Sequence, residues 1–166
     1  MGRRKRREWE AEFASEYCRE AFPGCTVKYH MRLGSWPTPL TAEDLTEEER
    51  RLLRVRMRWA DALVVGSGTL IVVEAKMRPS EFLKGLGELL LYTHLVPHTP
   101  GLSNFKGWKV AGRLVITVAD ATVEYLARRQ GFDVAVFQPS FWPEFLEAVS
   151  GRQTRPIRPE EASLLT

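Results

Sequence analysis

The stretch WADALVVGSGTLIVVEAK, residues 59–76, contains two apolar runs separated by Gly66-Ser67-Gly68. Valine, leucine and isoleucine dominate both runs and the glycines mark a tight turn, so the segment reads as a buried β-hairpin. Three charges sit inside it: Asp61 in the first run, Glu74 and Lys76 in the second. A charge on a core-facing strand is destabilising unless something compensates it. Alternation along a strand puts Glu74 and Lys76 on one face, and Asp61 on the face it shares with Trp59 and Leu63. If Ser67-Gly68 is a two-residue loop, Gly66 pairs with Thr69 and Asp61 falls opposite Glu74, with Cβ atoms about 4.5–5.5 Å apart. A three-residue turn would bring Asp61 across from Val73 instead and separate the acids. Gly68 suits a turn position that needs positive φ.

Two carboxylates facing each other across a ladder repel. A hard divalent cation, Mg²⁺ or Mn²⁺, removes the conflict, because such an ion binds through one or two carboxylates and completes its sphere with water and phosphate oxygens. Lys76 would then lie beside an attacking water and offset charge developing on a phosphate. The carbonyl of Ala75 is a further candidate ligand. The competing reading is a solvent-facing hairpin side with a Glu–Lys pair and an unrelated Asp, and it requires Asp61 and Glu74 to point apart.

Outward from the hairpin, the chain alternates element types. Residues 7–21, REWEAEFASEYCREA, space Trp9, Phe13, Tyr17 and Ala21 four apart, the pattern of an amphipathic helix, and FPG closes it. CTVKYHMRL alternates and reads as a strand. GSWPTPLTAED is a loop leading to a short charged helix capped near Thr46, with Glu49 three residues on. After the hairpin, RPSEFLKGLGELLLYTHLV reads as a helix capped by Ser80, with Leu83, Leu86, Leu90 and Leu91 lining one side and Pro97 ending it. HTPGLSNFKGWKV is a loop and GRLVITVA a buried strand. DATVEYLARRQG is a helix with Asp120 as cap and Gly131 at its C′ position. FDVAVF is another buried strand and FWPEFLEAV a last short helix. This order predicts an α/β fold: one single-domain three-layer sandwich over residues 1–150, a mixed central β-sheet flanked by helices. Right-handed crossovers should reach the two late strands. Residues 151–166 are Pro- and Arg-rich and read as a tail.

With 166 residues, 44% hydrophobic and 27% charged, the chain is long enough for one sizeable core and too short for two comfortable ones. No apolar run approaches the roughly 18 residues that span a bilayer, so no membrane partner is expected. The basic start MGRRKRREWE lacks the apolar region of a secretory signal. Cys18 and Cys25 read as small core residues of a reduced, cytoplasmic protein, and are too few to hold an iron–sulfur cluster. The net charge of +3 says little, but GRRKRR and RRLLRVRMR concentrate ten cations in residues 2–7 and 50–58. Both runs suit phosphate contacts; a solvated tail and a helix face would account for them equally well.

Asp61, the glycine turn and EAK (Glu74-Ala75-Lys76) resemble the PD-(D/E)xK nuclease superfamily, whose core is a mixed sheet flanked by helices. The family order of helix, three strands, helix and strand matches residues 7–117, about two-thirds of the chain. The resemblance implies metal binding at Asp61 and Glu74 and assistance to the attacking water by Lys76. Ala60 stands where many members carry proline, which removes no ligand. Many members also carry a glutamate on the first helix; Glu12 is the favoured candidate and Glu16 the alternative, with plain solvated glutamates a third reading. On the helix after EAK, Glu88 and Tyr92 are four apart and share a face. They match in part the QxxxY motif of RecB-like exonucleases, with Glu88 replacing glutamine, which implies Tyr92 near DNA and Glu88 near the metal. An exposed Glu and a Tyr on a core edge are the bland counterpart.

The expectation is a metal-dependent DNA nuclease that leaves a 5′-phosphate, with Arg78, Lys84 and the basic runs on backbone phosphates. The 13-residue spacing from Asp61 to Glu74 resembles that of archaeal resolvases. No separate specificity domain is legible, so a structure-directed endonuclease acting on branched or end-containing DNA is expected, and the family also allows a homodimer. The rival is a non-catalytic DNA-binding or assembly protein that keeps the nuclease fold. Other signals are discounted. Pro97 breaks the helix between His94 and His98, so no zinc pair is read there. Gly85-Leu86-Gly87 matches no phosphate loop, and its glycines instead permit close backbone approach, with DNA as one candidate. Trp36, Trp59, Trp108 and Trp142 are read as packing.

Overall fold

In the computed structural model, which describes residues 6–34, 46–48 and 58–153, the hairpin closes through a two-residue loop. Gly66 N–H donates to the Thr69 carbonyl at 2.9 Å, and Gly68 adopts φ +75°. The register then runs from Val65↔Leu70 to Ala62↔Val73, and continuing the count sets Asp61 opposite Glu74.

The elements are α1 (Arg6–Ala21), β1 (Thr26–Leu33), β2 (Arg58–Val65), β3 (Thr69–Lys76), α2 (Phe82–Leu95), β4 (Lys109–Ile116), α3 (Ala121–Arg129), β5 (Asp133–Val136) and α4 (Trp142–Gln153). They build one mixed sheet in the order β1-β2-β3-β4-β5. The β1–β2 and β2–β3 pairs are antiparallel, while β3–β4 and β4–β5 are parallel, each reached through a helix. Helices cover both faces, giving the α/β sandwich that the element order predicts. On one face Trp9, Phe13 and Tyr17 of α1 and Phe145 of α4 pack against Val64, Val73 and Val115. On the other, Phe82, Leu86 and Leu89 of α2 and Val123 of α3 pack against Val72, Leu114 and Ile116. Asp120 caps α3 by accepting from Val123 N–H at 3.0 Å, and Gly131 takes φ +76° just past its end. Among the described residues no helix is long and apolar enough to cross a membrane.

Several local expectations are corrected. Ser80 lies in a 3₁₀ turn, Pro79–Glu81, and α2 begins after Glu81 with no side-chain cap. The buried face of α2 is Phe82, Gly85, Leu86, Leu89 and Tyr92, whereas Leu83, Leu90 and Leu91 are exposed. Leucine content misled here, because the face with a glycine in it is the one that meets the sheet. β5 is half-exposed rather than buried, since it is the edge strand and has a neighbour on one side only. Two 3₁₀ turns, Val96–His98 and Pro100–Phe105, occupy the loop after α2. Cys18 is buried, but Cys25 is exposed at the turn after α1. α4 continues through Gly151 to Gln153; the rest of the expected tail, most of both basic runs, Trp36 and all but residues 46–48 of the short charged helix lie outside the described residues.

Gly85 and Gly87 differ sharply although two residues apart. A Cβ at Gly85 would lie 2.6 Å from Lys76 Cγ and 3.0 Å from Leu114 Cδ1, while at Gly87 nothing lies within 4 Å. The close approach at Gly85 is therefore made by the Lys76 stem, not left for a ligand. Replacing a helix-interior glycine by alanine ordinarily favours folding by about 0.5–1 kcal/mol. Gly87→Ala is expected to gain that amount, a rise of about 2–4 °C in Tm per kcal/mol for a chain of this size. Gly85→Ala is expected to lower Tm, and thermal denaturation of the two variants checks the contrast.

Candidate active site

Bonded pairs alternate along an antiparallel ladder. Counting from the bonded Gly66–Thr69 pair, the Ala75 N–H would donate to the Ala60 carbonyl. It donates instead to Asp61 Oδ2, at 2.8 Å. The β2–β3 ladder stops at this point, while β2 stays paired to β1 as far as Arg58 and β3 to β4 as far as Lys76. The sheet thus forks between β2 and β3, and the Asp61 carboxylate holds the amide left over at the fork.

Glu74 and Lys76 follow on β3 and both are buried, at 3% and 8% exposure. Lys76 Nζ donates to Glu74 Oε1 at 2.6 Å and lies 2.6 Å from Glu88 Oε2 on α2. Lys84, one helical turn before Glu88, approaches Glu88 Oε1 at 3.7 Å and is largely exposed. Two carboxyl groups therefore contact one buried cation, and the Asp61 carboxyl lies within reach of its charge. Glu74 Oε2 is buried and accepts no hydrogen bond from the described residues.

The electrostatics follow from that imbalance. Burial, then the Asp61 charge, pushes the Glu74 carboxyl up to about 9 against the pull of Lys76. Burial likewise pushes Asp61 up to about 6, with the Ala75 N–H and Lys76 holding it back and Glu10 and Glu88 adding to the rise. Burial would raise Glu88 too, but Lys76, together with a hydrogen bond to the Glu74 carboxyl, keeps it below the ordinary value. Burial disfavours the Lys76 charge, yet Glu74 and Glu88 outweigh it and hold the ammonium protonated. At neutral pH a proton on Glu74, shared toward Glu88, relieves the repulsion. Deeper in, burial and then Asp61 push the Cys18 thiol up to about 12, so it stays an inert core group.

These groups open into a cavity of about 510 Å³. Of the residues singled out from sequence, Asp61, Glu74, Lys76, Lys84, Glu88 and Tyr92 line it together. Tyr92 is buried, and burial with the nearby Glu74 and Glu88 charges keeps its hydroxyl protonated. Ala75 is not among the walls, though its amide bonds the Asp61 carboxylate that is. Arg78, Glu12 and Glu16 are not among its walls. Glu16 instead accepts from Ser140 N–H at 2.6 Å and from its hydroxyl at 3.0 Å, tying α1 to the segment before α4. The first-helix acid that reaches the cavity is Glu10. Its signal was present: Glu10 stands three, four and seven residues before Phe13, Ala14 and Tyr17, on the stripe that α1 buries. Glu12 lies off that stripe.

Arg58, Trp59 and His30 also line the cavity. Trp59, read from sequence as packing, is 37% exposed and covers His30 rather than entering either core.

No protein-family model matches the chain, and no curated protein matches it either. Solved structures do resemble it. A repair endonuclease from Pyrococcus abyssi is 15% identical at a TM-score of 0.46, over 84% of this chain and 50% of that one. EndoMS in complex with double-stranded DNA is 17% identical at 0.43, over 76% of this chain and 44% of that one. A protein of unknown function is 12% identical at 0.49, over 90% and 73% of the two chains. The chain spans about half the length of the two endonucleases it resembles.

The raised Glu74 pKa has a definite consequence for stability. Above 4.5 the carboxyl ionises in the unfolded chain, while in the fold it keeps its proton up to about 9. Between those values the folded state binds more protons, so this group's contribution to stability falls as pH rises. In EDTA, the stability of wild type relative to Glu74→Gln is expected to be level below that window and to fall within it. The slope is at most about 1.4 kcal/mol per pH unit, the limit for one proton. Thermal or urea denaturation of both proteins across the pH range measures it.

Proposed function

We propose that this chain is a divalent-metal-dependent DNA endonuclease that hydrolyses phosphodiester bonds at the β2–β3 fork. The observation that carries this reading is the surplus of acid there: Asp61 and Glu74 at one point of the fork, both with raised pKa values, and Lys76 as the buried cation between Glu74 and Glu88. A structure built only for stability would place apolar side chains at such a point.

The donor set fits Mg²⁺ or Mn²⁺. Among the described residues no three acidic, His or Cys side chains form a complete ligand cage. Two carboxylates, with the Ala75 carbonyl as a further donor, suit an ion that takes the rest of its sphere from water and a phosphate. Bound there, the ion supplies Lewis-acid activation of phosphodiester hydrolysis. Glu88 holds the Lys76 ammonium at the site, where its N–H groups can orient a water and stabilise charge on the non-bridging phosphate oxygens. Arg58 and Lys84, which both line the cavity, bind the flanking phosphates. Attack by water on phosphorus breaks the P–O3′ bond, leaving a 5′-phosphate and a 3′-hydroxyl that takes up the proton.

Cleavage of labelled linear duplex, single-stranded and four-way-junction DNA tests this reading. Cutting is expected with Mg²⁺ or Mn²⁺ and not with EDTA, and Lys76→Ala should slow it by about 10²-fold or more. Branched or end-containing DNA is the expected preferred substrate. Metal alone should raise the wild-type Tm, by about 2.7 kcal/mol of stability at a hundred times the dissociation constant, and Asp61→Asn should abolish the rise. DNA binding of equal salt dependence in wild type and Lys76→Ala, with no cutting by either, would make the chain a non-catalytic DNA-binding protein.

A further inference from the structure

His30 and Trp59 take no part in that chemistry, yet the fold holds them against it. His30 lies in the middle of β1 with φ +51°, the one non-glycine residue with positive φ among those described. The β1–β2 ladder keeps constant register on either side, Tyr29↔Ala62 and Met31↔Ala60, but His30 and Asp61 between them do not pair. A left-handed conformation at a non-glycine residue costs about 1–3 kcal/mol and persists only where the surroundings hold it. Here it turns the imidazole out of the strand pattern and lays it flat on the Trp59 indole, with ring centroids 4.7 Å apart and planes 13° from parallel. Both rings are exposed and both line the cavity of Asp61, Glu74 and Lys76.

A stacked ring pair inside a core needs no explanation beyond packing. An exposed pair on the wall of a charged cavity presents aromatic surface to whatever enters it. The ligand such a face takes is flat and aromatic. With Arg58 and Lys84 on the same cavity, the ligand should also carry phosphates. Inside a duplex both faces of each base are covered by its neighbours, so away from the ends only an unpaired base can offer one.

We propose that the His30–Trp59 stack seats an unpaired nucleobase adjoining the phosphate held at Asp61, Glu74 and Lys76. The preferred DNA then carries a single-stranded or splayed nucleotide at the site of attack. The position of that phosphate rests on the nuclease reading; the base seat itself is a binding property and is measured without cleavage.

The test is binding of fluorescently labelled DNA to the full chain in EDTA. The probes are a fully paired duplex, a single strand, and a duplex with one central unpaired nucleotide. Tighter binding of the two unpaired probes is expected. Trp59→Ala should weaken them by about 10- to 100-fold, the range for loss of one base–aromatic stack, and change duplex binding less than twofold. Trp59→Phe should retain most of the preference. In wild type, an abasic residue in place of the unpaired nucleotide should cost a similar factor, and in Trp59→Ala it should cost almost nothing. The abasic probe needs no variant, so misfolding of Trp59→Ala cannot mask the outcome. Equal losses on paired and unpaired DNA, no loss at the abasic position, or no binding to any probe overturns the proposal. Cleavage with Mg²⁺, run in parallel, separates the two readings. Stacking without cutting keeps the base seat and removes the nuclease; cutting indifferent to Trp59 and to the abasic residue does the reverse.

Discussion

The hydrogen bond from Ala75 N–H to Asp61 Oδ2, at 2.8 Å, is the contact on which the site depends. A continuous β2–β3 ladder would satisfy that amide with a backbone carbonyl and leave Asp61 as a buried charge without a role. By taking the amide itself, Asp61 terminates the ladder without an orphaned donor, and the sheet can fork. The fork brings α1 and α2, which lie on opposite faces of the sheet, to the same cavity through Glu10 and Glu88.

The surrounding structure adapts to the charges that the fork gathers. Lys76 would be costly to bury alone, and it is held between Glu74 on its own strand and Glu88 on the facing helix. Its aliphatic stem needs room against α2, and Gly85 provides it at a position where a methyl group would collide. That requirement turns the glycine inward and leaves Leu83, Leu90 and Leu91 facing out. One deeply buried cation against three carboxyls still leaves an excess of negative charge. In the absence of another cation a proton on Glu74 reduces it; a hard divalent ion would do so without neutralising the acid. The same cavity wall stores backbone strain at His30, as sites that must present a side chain in an unusual direction commonly do.

Much of this was legible from residue order alone, for identifiable reasons. Period-two and period-four apolar spacing located the strands and helices, because burial of one face is what forms them. Gly68 marks the turn, but the sequence leaves a two- or a three-residue loop open, and a one-residue change would turn every side chain to the other face; the register of the folded hairpin is what sets Asp61 opposite Glu74. The cap at Asp120 and the stop at Gly131 followed from local backbone chemistry. Local rules also failed in recognisable places. Four leucines outweigh one glycine in the sequence reading of α2, and Trp59 is read with the other tryptophans as packing although it stands on the cavity wall. Glu12 is preferred to Glu16 by its distance from the helix end, a criterion that passes over the face of α1 on which Glu10 lies.

Sequence by itself therefore determined the α/β sandwich and the hairpin with its charged residues, since these depend on local spacing and turn chemistry, while the two-residue turn that faces Asp61 with Glu74 was decided by the fold. Tertiary structure alone decided which distant side chains complete the site. Glu88 reaches Lys76, Glu10 enters from α1, and Glu16 is drawn away to Ser140, because those choices depend on how two helices seat against opposite faces of a forked sheet. The left-handed turn at His30 belongs to the same class. No local preference of histidine requires it; it persists because the β1–β2 ladder is fixed on both sides and the imidazole gains the face of Trp59.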